Sequence, residues 1–107
     1  ILDRRKDMII SGGFNIYAVD LETVLLAHPA VADVAVIGIP SEQWGETPLG
    51  LVVRKPGCTE TEAEILEWAN HRLGKTQRLA NIECRPELPR STIGKVLKRE
   101  LRAPYWP

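Results

Sequence analysis

The chain has no net charge to spend on a polyanion: 14 Lys and Arg balance 14 Asp and Glu over 107 residues. A nucleic-acid partner, which selects a basic face, is therefore not expected. No apolar run approaches the ~20 residues needed to cross a bilayer, and no signal peptide is recognisable. Cysteine is scarce, with Cys58 and Cys84 far apart and outside any Cys-x-x-Cys pattern. That spacing predicts free thiols in a reducing compartment, hence a cytoplasmic location, rather than a disulfide or a metal site. His28 and His71 lack partners at ligand spacing and read as surface or helix-end residues. Internal repeats and low-complexity tracts are missing. So is a P-loop, because neither Gly12-Gly13 nor Gly94-Lys95 sits in the G-x-x-x-x-G-K-[ST] spacing. What remains is a soluble composition, 44% hydrophobic and 26% charged, in a length that fits one domain.

Local patterns predict an α+β fold with a small sheet, an N-terminal β-hairpin and flanking helices. Met8-Ile9-Ile10 and Phe14-Asn15-Ile16-Tyr17 flank Ser11-Gly12-Gly13, a hairpin signal because paired glycines supply positive φ. Leu21, Val24, Leu25 and His28 follow helical spacing over 19–28, with Asp20 and Glu22 at the positive N-terminal end and Pro29 as the stop. Val31 to Ile39 is rich in β-branched residues and reads as a buried strand closing at Gly38 and Pro40. Leu49 to Arg54 reads as a second strand, ended by the Pro56-Gly57 turn. Thr59 or Thr61, each with Glu three residues later, offers a capping box for a helix burying Ala63, Leu66, Ala69 and Leu73, with Gly74 as its C-terminal cap. Asn81 to Arg85 fits one more strand before Pro86.

The last third is basic, with nine Lys and Arg against three Glu from Arg72 to Arg102. Solvation is the default reading of such a run; an anionic ligand is the other. Within it stands Pro89-Arg90-Ser91-Thr92-Ile93-Gly94-Lys95-Val96-Leu97-Lys98-Arg99-Glu100-Leu101-Arg102. Ile93, Leu97 and Leu101 recur every four residues and can share a buried helical stripe, while Lys98, Arg99 and Arg102 fall off it. Gly94 permits a tight turn from which the long stem of Lys95 can carry its charge to phosphate or carboxylate oxygens.

This phrase resembles the C-terminal lysine motif of the adenylate-forming enzymes, the acyl-CoA synthetases and their relatives. Asp3-Arg4-Arg5-Lys6-Asp7-Met8-Ile9-Ile10-Ser11-Gly12-Gly13-Phe14-Asn15-Ile16 is similar to the same family's hinge motif and glycine loop. The two stretches stand in the family's order and bracket nearly the whole chain. The resemblance implies the mobile C-terminal domain of an ATP-dependent acyl-CoA synthetase, most simply a fatty-acid or related carboxylic-acid ligase. Its implied cofactors are ATP, CoA and Mg2+, the metal held chiefly by phosphates and by a large N-terminal domain. Ile1-Leu2 running straight into the hinge phrase fits a domain excised from that larger protein, inactive alone.

The resemblance also assigns roles by position. Lys95 would bridge the carboxylate and the ATP phosphate during adenylation. Arg4 would bind the ribose hydroxyls, Lys6 would be the hinge, and Gly12 and Gly13 would lie against the pantetheine arm of CoA. Hairpin geometry explains the two glycines equally well. Trp44, in Ser41-Glu42-Gln43-Trp44-Gly45-Glu46, resembles a loop that contacts the nucleotide end of CoA, though a packing tryptophan is the plainer reading. Two departures stand out: Ala18-Val19-Asp20-Leu21-Glu22 lacks the family's usual proline, and Lys75-Thr76-Gln77-Arg78-Leu79-Ala80 lacks another. The second weakens any phosphate role for Lys75 and Arg78. Two other readings stay open, an adenylation domain loading a carrier protein and a standalone binding module.

Overall fold

The computed structural model describes residues 8–43, 45–74, 78–89 and 98–106. It opens on the expected hairpin, β1 (Met8–Ser11) paired antiparallel with β2 (Phe14–Tyr17). Ser11 faces Phe14, and the two intervening glycines have φ of 57° and 86°. Positive φ at both central positions gives a two-residue turn whose twist matches that of the strands. Ile9 and Ile16 face each other across the pair and turn into the core.

Helix α1 (Ala18–Leu26) follows at once. Asp20 lies in its first turn as expected, but Glu22 does not serve the helix end and instead reaches across to the sheet. That sheet has three strands, β3 (Val31–Ser41), β4 (Gly45–Arg54) and β5 (Asn81–Cys84), in the order β3-β4-β5. β4 is antiparallel to β3 and parallel to β5. A parallel partner requires a crossover, which α2 (Glu62–Asn70) supplies between β4 and β5. A short helix, α3 (Lys98–Arg102), lies beyond β5. The class is α+β, as the sequence predicts.

β3 and β4 both outrun their predicted ends. β3 continues through Gly38 and Pro40 to Ser41, and β4 begins at Gly45 rather than Leu49. The prolines are tolerated because of where their missing N–H groups would point. β3 is an edge strand, and Pro40 shares the outward parity of Val36, whose N–H leaves the ladder for a side chain. Pro48 lies one position ahead of the Leu49–Asn81 pair at which β5 joins.

Both sheet faces are covered, so the central strands are apolar without alternation. Val34, Val36, Val52 and Ile82 face a cluster that includes Leu21 and Leu25 of α1 and Ile65 and Ala69 of α2. Ala35, Ile37, Leu49 and Leu51 face the opposite way, onto Leu88 and Leu101. Gly50 is where the first layer packs closest: a Cβ there would stand 2.7 Å from Ile82 Cδ1 and 3.2 Å from Leu25 Cδ1.

The capping box resolves to Thr61 and Glu64: the Glu64 N–H donates to Thr61 Oγ1 at 3.1 Å, and the Thr61 N–H donates to Glu64 Oε1 at 3.3 Å. The buried face of α2 is Ile65 and Ala69, flanked by half-buried Leu66, Trp68 and Leu73; Ala63 is exposed, contrary to expectation. Gly74 is not the cap either. The helix ends at His71 in an ordinary right-handed conformation, three residues before the glycine. His71 is exposed, but His28 is buried, with Nδ1 accepting from the Ala30 N–H at 2.9 Å and its ring edge-on to Trp68 at 4.8 Å. The other side of that indole carries the Arg72 guanidinium, 3.8 Å from the ring centroid.

Candidate functional site

The site is built on the free edge of β3. An edge strand presents unpaired amides and carbonyls that must be covered, and here side chains from distant segments cover them. The Val34 N–H donates to its neighbour Asp33 Oδ1 at 2.9 Å. The Val36 N–H donates to Glu22 Oε2 of α1 at 2.9 Å. The same oxygen receives Lys98 Nζ of α3 at 2.7 Å, with both side chains about four-fifths buried (17% and 19% exposed). Two positions further, the Gly38 carbonyl accepts from Trp106 Nε1 at 2.8 Å. α3 is thus tied to α1 and, through Glu22, to β3 at Lys98, and the chain after it to β3 at Trp106, while Leu101 between them is buried in the cluster with Leu88.

The hairpin is tied to the sheet in a parallel way. Glu46, at the start of β4, accepts from the Ile10 N–H of β1 at 2.9 Å. Its carboxylate passes over Gly38, where a Cβ would fall closer than 3.0 Å to three of its side-chain atoms. Glycine at position 38 is what lets Glu46 reach the hairpin. Met8, Val36, Gly38, Glu46, Lys98 and Arg102 consequently line one narrow cleft. Two of them belong to the sequence motifs: Met8 follows Lys6 by two positions, and Lys98 follows Lys95 by three.

Of the residues singled out from the sequence, Gly12 and Gly13 are described, at the exposed tip of the hairpin. Their φ values make glycine the natural occupant of the turn whatever else it meets. Gly13→Ala should lower stability by about 1–2 kcal/mol in a denaturant titration. Nothing lies within 4 Å of a Cβ at that position, so the loss would be conformational rather than steric. An alanine variant as stable as the parent would contradict this. Arg4, Lys6, Trp44 and Lys95 lie outside the described residues. Glu22, Gly38, Glu46 and Lys98 were not legible as a group; the available signal was that Glu46 directly follows Trp44-Gly45.

The basic last third is not simply a solvated face. Besides Lys98 and Arg72, Arg85 is engaged: its Nη2 donates to Tyr105 Oη at 2.9 Å and lies 3.4 Å from Glu83 Oε1. The Tyr105 hydroxyl donates to the same Glu83 oxygen at 2.7 Å. Burial and this bond to Glu83 push the Tyr105 phenol above its ordinary value, against a lowering by Arg85. A raised value means the folded chain favours the protonated phenol. Its stabilising contribution is therefore whole below pH ~10 and lost as pH rises through the folded value. An alkaline absorbance titration should show a late-ionising phenol that Tyr105→Phe removes; its persistence in that variant would refute the assignment. Cys84 is pushed up by burial, with Arg54 lowering and Glu62 raising it, which leaves little thiolate for nucleophilic work. Among the described residues no three His, Cys, Asp or Glu side chains are placed to hold a metal ion. Nor is any described helix long and apolar enough to cross a membrane.

By fold, the class is a small α+β domain built on a three-stranded sheet beside a hairpin. Residues 20–95 match the family described as AMP-binding enzyme C-terminal domain, and the chain belongs to that family. The 2-succinylbenzoate--CoA ligase of Bacillus cereus is 45% identical over 102 residues, which span 95% of this chain and 21% of the relative. The 4-coumarate--CoA ligase-like 9 of Oryza sativa subsp. japonica is 41% identical over 95% of this chain and 18% of its own length. Among solved structures, ATP-bound MatB from Rhodopseudomonas palustris superposes with a TM-score of 0.89 at 39% identity, over 94% of this chain and 20% of that one. The Mycobacterium tuberculosis fatty acyl CoA synthetase does so at 0.85 and 40% identity, with the same coverage. The chain thus spans about a fifth of the length of the relatives it matches.

Proposed function

We propose that this chain is the C-terminal domain of an ATP-dependent CoA ligase acting on an acyl or aryl carboxylic acid. In the first half-reaction a carboxylate oxygen attacks the α-phosphorus of ATP and diphosphate leaves. In the second, a thiol sulfur attacks the acyl carbon of the adenylate and AMP leaves. Lys95 supplies the charge that offsets the repulsion between two anions in the first step. Arg4 holds the ribose hydroxyls through its fork of donors. Lys6 is the hinge about which the domain turns between steps. Gly12 and Gly13 then meet the pantetheine arm, and Trp44 meets the nucleotide end of CoA. The chain's own large N-terminal domain would hold the acyl pocket, the ATP phosphates and, through them, Mg2+; without it the chain is inactive.

The observation that carries this reading is the cleft beside β3, where β1, which lies within the hinge and glycine-loop stretch, and α3, which lies within the lysine motif, meet from opposite ends of the sequence. The printed names of the relatives differ in their acid, with succinylbenzoate, coumarate and fatty acyl groups all present. A fatty acid is therefore one candidate within a wider carboxylate class. The test uses the full-length protein with ATP, Mg2+ and a panel of aromatic and aliphatic carboxylates. Free CoA should yield AMP, diphosphate and an acyl-CoA. Thioester formed only on a pantetheinylated carrier protein would replace this reading with that of a carrier-loading enzyme. Absence of any carboxylate-dependent ATP–diphosphate exchange would reduce the chain to a binding module.

A further inference from the structure

We infer that Glu22 and Glu46 are positioning residues, each serving a different half-reaction: Glu22 holds the lysine segment for adenylation, and Glu46 holds the glycine hairpin for thioester formation. The inference rests on the adenylation-and-thioester reading above.

Glu22 meets the lysine segment through Lys98. One of its oxygens takes both an edge amide of β3 and the Lys98 ammonium, so α1, β3 and α3 meet at a single atom. Lys98 lies in α3, three positions after Lys95. Glu22 acts on Lys95 through the seat it gives α3. The pair is largely buried, and breaking a buried pair by removing one partner is costly. A charge-bridged junction therefore gives α3 one preferred seat rather than several.

Glu46 belongs to the other segment. Its oxygen takes the Ile10 N–H on the strand edge that β2 does not use. It is also two positions after Trp44, so one residue links strand β1 of the hairpin to the start of β4. The bond is more exposed than the Glu22 junction and correspondingly weaker. Gly38 sets its path, and Gly38→Ala offers a way to displace the carboxylate without deleting it.

The two assignments predict opposite effects, which a purely structural role would not produce. In the full-length enzyme, carboxylate-dependent ATP–diphosphate exchange reports the first half-reaction, and conversion of supplied acyl-adenylate and CoA reports the second. Glu22→Gln keeps an acceptor for Val36 and removes the charge for Lys98. It should slow exchange by about tenfold to a hundredfold, the scale of a misplaced catalytic group, with the second half-reaction within about twofold. Lys98→Met should give the same split if Glu22→Gln fails to fold. Glu46→Ala and Gly38→Ala should slow thioester formation by about fivefold, the worth of one hydrogen bond of about 1 kcal/mol, and spare exchange. Equal losses in both half-reactions, or no loss in either, would overturn the inference. A Lys95→Ala control separates the two levels. If that control abolishes exchange while Glu22→Gln does not, only the Glu22 assignment falls; if it leaves exchange intact, the adenylation reading falls and takes this one with it.

Discussion

Lys95→Ala in the full-length protein should lower adenylation by about 10²–10³-fold, the range for removing one preorganised group that stabilises developing charge. The physical reason is Coulombic. On the proposed reading, a carboxylate and a triphosphate approach each other as anions, and a lysine between them offsets their repulsion as a point charge, neither giving nor taking a proton. The second half-reaction involves a thiol and a mixed anhydride that is already formed. Conversion of supplied acyl-adenylate to acyl-CoA should therefore stay close to the parent rate. Equal loss in both half-reactions would mean that position 95 supports the fold or CoA rather than the adenylating oxygens. Arginine at 95 would sharpen the result, because its planar fork keeps the charge but not the compact ammonium.

The parts of this fold that were legible in the sequence are those specified locally. Gly12-Gly13 between two apolar runs fixes a hairpin because the φ values of the turn are a property of those two residues. Thr61 and Glu64 announce a helix start because the reciprocal bonds of a capping box span one turn. The β-branched run from Val31 to Ile39 reads as a buried strand, and it lies in β3, buried through Val34 to Gly38. The misread details have long-range causes. His28 looks like a helix-end residue until Trp68 of α2 packs against it. Pro40 looks like a strand end until β3 proves to be an edge, where an absent N–H leaves no gap in the ladder. Glu22 looks like a helix-dipole residue, and only the approach of Val36 and Lys98 reveals its use. The site follows the same division. Its glycines were visible as turn formers, whereas the Glu46–Ile10 bond over Gly38 joins three segments that no local pattern connects.

Leu51→Ala should cost about 3 kcal/mol of folding stability, within the usual range for a buried leucine, and a large share of the ~5–15 kcal/mol of a typical domain. Leu51 is 0% exposed, sits on the central strand, and faces only an alanine, Ala35, across the β3–β4 ladder. Alanine has no side chain long enough to refill the space. Among the described residues, Ile37, Leu49, Leu88 and Leu101 are the other large members of the Leu51 cluster. Close packing leaves buried neighbours little room to move in without opening a gap elsewhere, so the cavity term should be kept rather than relaxed away. Denaturant titration should show a lower midpoint at unchanged slope. Val53→Ala is the contrast, since Val53 is half-buried at the margin of the same cluster and should lose about 1 kcal/mol or less. The consequence for chemistry follows from Leu101. It is the residue by which α3 packs on this face, so a cavity under it loosens the helix even while Lys98 remains paired with Glu22. In the full-length enzyme Leu51→Ala should therefore slow adenylation more than thioester formation at temperatures well below unfolding. A stability loss under about 1 kcal/mol would show that the lower layer repacks freely, and the seating of α3 would then depend on the polar ties at the β3 edge alone.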